Sequence, residues 1–98
     1  MATKNINTTD ENKDLATKIN RMHIISTIKT VTKAQTEVMR PQLVAANGEE
    51  KAEEILAEFA SRMERVCAYI EEAPASWIAA RIHADSTEIV RDVCGKIF

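Results

Sequence analysis

Apolar residues recur every three or four positions through most of this chain, the period of an amphipathic helix. The clearest run covers residues 49–70. Ala52, Ile55, Leu56, Phe59, Met63, Val66 and Ile70 form one stripe there, with Cys67 at its edge. Glu53, Glu54, Glu58, Arg62, Glu64 and Arg65 cover the other side, and Glu58 with Arg62 makes a favourable i,i+4 pair. Pro74 suits the first turn of a further helix, whose apolar positions are Trp77, Ile78, Ile82, Ile89, Val90, Val93 and Ile97. Within that run, Asp85-Ser86-Thr87-Glu88 reads like a capping box, so a kink or restart is expected near Asp85.

The first half is less regular. Thr8, Thr9 and Asp10 offer N-cap oxygens, and the pattern from there to Arg40 is mostly helical. The segment His23-Ile24-Ile25-Ser26-Thr27-Ile28 is rich in residues that favour strands. Yet Ile24, Ile28, Val31 and Val38 recur at helical spacing, and adjacent Ile24 and Ile25 break strand alternation. Leu15, Ile19 and Met22 form a separate stripe, well around the cylinder from Ile24 and its successors. Either a short first helix ends near residues 18–20, or one helix touches two different partners. Pro41 disfavours helix at Arg40, and Asn47-Gly48 is a strong stop signal.

These elements predict an all-α protein: a small helical hairpin or bundle with a short first helix, a long helix and a kinked C-terminal helix. Residues 1–9 read as a flexible tail and residues 10–98 as a single helical domain. No repeat, low-complexity tract or sheet pattern is present.

Composition narrows the class further. Ninety-eight residues make one small domain, with a core modest enough for partner subunits to add stability. The net charge of −2 argues against bulk binding of double-stranded nucleic acid or membrane. The balance is uneven, however. Residues 1–48 hold seven Lys/Arg against four Asp/Glu, and residues 49–98 hold six against eleven. Two Cys without disulfide spacing, and no apolar leader or membrane-spanning run, lead to the expectation of a cytoplasmic protein.

Candidate chemistry concentrates in two places. Lys18, Arg21, Lys29, Lys33 and Arg40 share one sector of the first long helix, a face able to hold phosphates or simply a solvated helix back. The second place is the Trp77 corner. Its indole face suits stacking on a base, Arg81 follows one turn on, and His83 adds a donor. The plainer reading makes Trp77 a core anchor with Arg81 in water. His23 and His83 lack supporting ligand spacing, so no metal is expected. Cys67 and Cys94 read as small buried hydrophobes. Catalytic signatures are absent, and no catalytic residue or cofactor is expected. Three-helix chorismate mutases use several Arg and a Lys on a dicarboxylate. Arg21, Lys29 and Arg40 imitate that charge, but the family's helix-1 pattern of Leu and Arg is missing.

The stretch Glu72-Ala73-Pro74-Ala75-Ser76-Trp77-Ile78-Ala79 resembles a family of phage proteins that sequester cyclic nucleotides and so blunt the antiphage signalling system CBASS. Members share a Pro-x-x-Trp-aliphatic-Ala opening to their last helix. Asn20-Arg21-Met22 is similar to an Asn-Arg-aliphatic segment in their first long helix. The departures fall on ligand contacts. Ser76 stands where some members place Arg, His83 where Thr is common, and His23 where members have Lys, and the base-stacking Tyr near the start is absent. The resemblance implies a non-enzymatic homo-oligomer, commonly a hexamer, with ligand sites between subunits in the host cytoplasm. The ligand-binding candidates are then Arg21, His23, Lys29, Trp77, Arg81 and His83. The alternative is a small helical inhibitor or adaptor that acts on a protein partner through the acidic face of Glu53, Glu54 and Glu58.

Overall fold

The computed structural model describes the backbone of residues 2–98 and the side chains of residues 13–98. It is all-α: α1 spans Ala2–Asn47, α2 Glu49–Glu72, α3 Ala75–Ala79 and α4 Ser86–Ile97. α1 begins at Ala2, so the candidate N-cap residues Thr8, Thr9 and Asp10 lie within the helix and not at its start; the side chains of residues 1–12 lie outside the described residues.

α1 is one helix of 46 residues. At about 1.5 Å per residue it is about 69 Å long, and it sets the 67 Å long axis of the molecule. The expected short first helix is not present: the Leu15 and Ile24 stripes sit on two faces of one unbroken helix. The strand-favouring residues are helical because burial outweighs propensity: Ile24, Ile25 and Ile28 all enter the core. Pro41 does not end α1, contrary to the expectation at Arg40. Its ring is exposed, and Met39 and Leu43 on either side of it are partly buried beside α2. That packing offsets the roughly 3 kcal/mol cost of an interior Pro.

The reversal between α1 and α2 uses a single residue. Gly48 takes φ 85°, which L side chains rarely adopt, and its N–H donates to the Val44 carbonyl at 2.8 Å. The hairpin that follows closes on the expected α2 stripe: Ala52, Leu56, Val66 and Ile70 are buried. Two apolar residues depart from their stripes: Ile82 is exposed in the turn between Ala79 and Ser86, and Val38 points away from the core. Val38 is 66% exposed, because Met39 and Leu43 turn toward α2 instead.

The C-terminal segment restarts rather than kinks. α3 is only five residues, and α4 begins anew with Asp85 as N-cap, its carboxylate accepting the Thr87 N–H at 2.8 Å. Ile78, Ile89 and Val93 are buried against Ile28, Val66 and Ile70, and so complete the core over one end of the hairpin. Phe98 finishes α4 under two guanidinium groups of α2, with Arg65 4.5 Å and Arg62 5.6 Å from its ring centroid. Among the described residues no helix is long and apolar enough to cross a membrane.

Candidate functional site

The α2–α3 corner is held by Arg21. From α1, its Nη1 donates to the carbonyls of Ile70 at 2.6 Å, Glu71 at 3.0 Å and Ala73 at 2.7 Å. These carbonyls lie at the end of α2, where helical donors run out and the helix dipole favours a cation. Arg21 is therefore partly buried and committed to the backbone, a role its spacing on a basic stripe does not reveal.

Pro74 then caps the short α3, which carries Trp77 inward beside Ile78. Tyr69 of α2 meets the indole edge-on, with ring centroids 5.8 Å apart and planes at 71°. The Arg81 guanidinium carbon lies 4.0 Å from the centroid of the Trp77 ring, and the Lys96 ammonium lies 5.9 Å from it. The indole Nε1–H is buried and meets no acceptor. Trp77 is thus an anchor of the corner with a cation already against its face. A base can stack on that face only after Arg81 swings away.

Arg81 is itself held in three ways. Besides the ring, its Nη1 donates to the Trp77 carbonyl at 3.2 Å and its Nη2 to Asp92 of α4 at 2.7 Å. The Asp92 carboxylate also faces Lys96, at 3.7 Å. The hydrogen bond from Arg81, aided by the charge of Lys96, holds the Asp92 carboxyl below its ordinary range.

Beside this cluster runs an open groove of about 710 Å³, walled by the α3–α4 turn and one face of α4. Arg81, Arg91 and Lys96 bring three positive groups to it, and Glu88 and Asp92 bring two negative ones. Such a groove holds an anion when Asp92 yields its partners and Arg91 and Lys96 turn inward. Sequence reasoning missed Tyr69, Arg91, Asp92 and Lys96. The α4 residues sit 10 or more positions beyond Arg81, and only the α3–α4 turn brings them back beside it. The usable signal was Arg91-Asp92 and Lys96 repeating at helical spacing on α4.

The remaining candidates do not join this cluster. His23 and His83 are both exposed. Among the described residues no group of three His, Cys, Asp or Glu is placed to hold a metal. Lys29 lies with Lys33 along a smaller recess of about 290 Å³ that ends on Cys67. Burial is the largest influence on that thiol and pushes it up, against the opposing charge of Lys29. The basic stripe of α1 is no single cradle either: Arg21 caps α2 and Arg40 pairs with Glu53, while Lys18, Lys29 and Lys33 stay in solvent. No protein-family model, curated protein or solved structure matches the chain.

Proposed function

We propose that this protein is a binding protein without catalytic chemistry, which sequesters a cyclic nucleotide signal and so blunts a host antiphage defence. The observation that carries the reading is the gathering of Arg81, Arg91 and Lys96 around one groove, two of them also lying over Trp77. Phosphates meet Arg91 and Lys96, and Arg81 trades Asp92 for a phosphate oxygen as it leaves the indole face. A base then gains an aromatic surface worth about 1–3 kcal/mol. The likeness of residues 72–79 to cyclic-nucleotide sponges supports the ligand class, and the same likeness supports a homo-oligomer in the host cytoplasm.

The test is thermal shift of the purified protein against cyclic di- and trinucleotides, with linear dinucleotides as controls. A ligand at 100 times its Kd adds about 2.7 kcal/mol to the folded state. That shifts the melting point of a domain this small by at least about 10 °C. Arg91→Glu, at an exposed side chain, should sharply weaken the shift and leave the unliganded melt close to wild type. A flat panel from a folded sample overturns the reading.

A second reading rests on the outer face of α2. Glu49, Glu50, Glu53, Glu54 and Glu58 are all exposed there, with only Lys51 among them. This is a surface for a basic protein partner, and the chain would then act as a small inhibitor or adaptor. Capture of such a partner, lost on neutralising Glu53, Glu54 and Glu58, distinguishes it from nucleotide binding.

A further inference from the structure

α4 carries a glycine that its fold does not call for. Gly95 lies in the last turn of the helix, exposed, on the face that walls the groove beside Arg81. Inside a helix Gly is a poorer choice than Ala, because it gives up the most backbone freedom. Two reasons usually account for it. One is a positive φ, and among the described residues Gly48 is the glycine that has it. The other is close packing against a neighbour. A Cβ at Gly95 would meet nothing within 4 Å. Neither turn geometry nor packing within the chain explains this residue.

Its surroundings show what the gap serves. Helical spacing sets Arg91 and Asp92 one turn before Gly95 on the same face, with Lys96 following it. All four line the groove, and every other α4 residue that lines it carries a larger side chain. Across from them the α3–α4 turn contributes Ala80 and Ala84, which are also small. Gly95 is therefore a notch in a wall of long side chains. The surface at its base is the α4 backbone, and two cations and a carboxylate stand around it. A missing side chain of this kind lets a ligand approach a helix backbone closely.

Building on the nucleotide-binding reading of this groove, we infer that Gly95 is a specificity-determining position: a base of the bound nucleotide lies flat against α4 at Gly95, its phosphates on Arg91 and Lys96 and its outer face toward Ala80 and Ala84. This gives a flat ring a second resting place beside Trp77, and one that asks no movement of Arg81. Bulk at position 95 then decides whether the ligand enters.

Thermal shift and titration calorimetry on wild type, Gly95→Ala and Gly95→Leu test it, with cyclic di- and trinucleotides as probes. Ala and Leu are better helix formers and have free space at this position, so the melting point without nucleotide should hold or rise, by about 2–8 °C for Ala. Leu fills the notch and should weaken binding of the nucleotide that wild type takes by at least about tenfold. Ala adds one methyl and should weaken it less. Stability and binding thus move in opposite directions, whereas a glycine needed only by the fold would lose both together. Should Gly95→Leu not stay soluble, Gly95→Gln brings similar bulk with a polar end. Equal binding of one nucleotide by wild type and Gly95→Leu overturns the inference and leaves the nucleotide reading standing. Wild type that binds none of the probes overturns both. A lower melting point for Gly95→Leu without nucleotide also overturns the inference, because the fold itself then occupies the notch.

Discussion

Arg81 covers Trp77, its guanidinium carbon 4.0 Å from the centroid of the indole ring, while its Nη2 reaches Asp92 on the next helix. One side chain thus ties the short α3 to α4 and occupies the aromatic face that a base would use. Structure and ligand compete for the same group, so substitutions here separate the two roles. Trp77→Phe keeps a ring under Arg81 and removes an indole N–H that is buried without an acceptor, so its melting point should stay close to wild type. Trp77→Ala leaves a cavity and should cost about 3–5 kcal/mol in chemical denaturation. A Phe variant as unstable as the Ala variant would show that the indole N–H has a partner after all.

Arg21 holds the α2–α3 corner through the carbonyls of Ile70, Glu71 and Ala73. Arg21→Met keeps much of the stem and removes every donor. Charged hydrogen bonds of this kind contribute about 1.5–3 kcal/mol, so the variant should unfold at lower urea with an unchanged m-value. If Arg21 served only a ligand, stability without ligand would not move.

Asp92 has a lowered pKa in the folded protein, first because of the hydrogen bond from Arg81. A carboxyl with a lowered folded pKa stabilises above its unfolded value and loses that contribution as pH falls through the folded one. The loss therefore begins near the ordinary value of 3.8 and is complete below the lowered one. Asp92→Asn should flatten this acid limb of a melting-point profile while leaving other carboxylates to titrate. The same variant releases Arg81 and Lys96 from their anion. In the nucleotide shift assay it should bind more tightly than wild type, the opposite of what loss of a ligand contact gives.

Gly48 makes the entire α1–α2 reversal at φ 85°. A Cβ there meets nothing within 4 Å, so the penalty for Gly48→Ala comes from the backbone conformation and not from a clash. That penalty is roughly 1–2 kcal/mol for an L residue in left-handed space. Gly48→Asn, whose side chain tolerates that region, should lose less than Gly48→Ala in the same urea titration.

Helix identity was legible along most of the chain because helix formation is local. The α2 stripe from Ala52 to Ile70, the Asn47-Gly48 stop and the Asp85 cap all depend on residues within a turn of one another. Pro41 was misread for the same reason. Its local signal says stop, and only the packing of Met39 and Leu43 beside α2 shows why α1 continues. Val38 sits on the expected helical spacing, yet its exposure depends on where α2 crosses α1 and how far α4 extends.

The sequence by itself determined the helical class, the Gly48 stop, the Asp85 cap and the two separate stripes of α1, since each follows from the spacing of side chains within a few turns of one cylinder. Only the tertiary structure decided what each charged group does. Arg21 and Arg81 look alike along the chain, as exposed-pattern cations near apolar residues. In the fold one is consumed by the carbonyls ending α2, and the other by Asp92 and an indole face. The reason is range. A long guanidinium finds its acceptors across helix contacts 11 to 52 residues apart, and no local pattern encodes which helix end will lie beneath it.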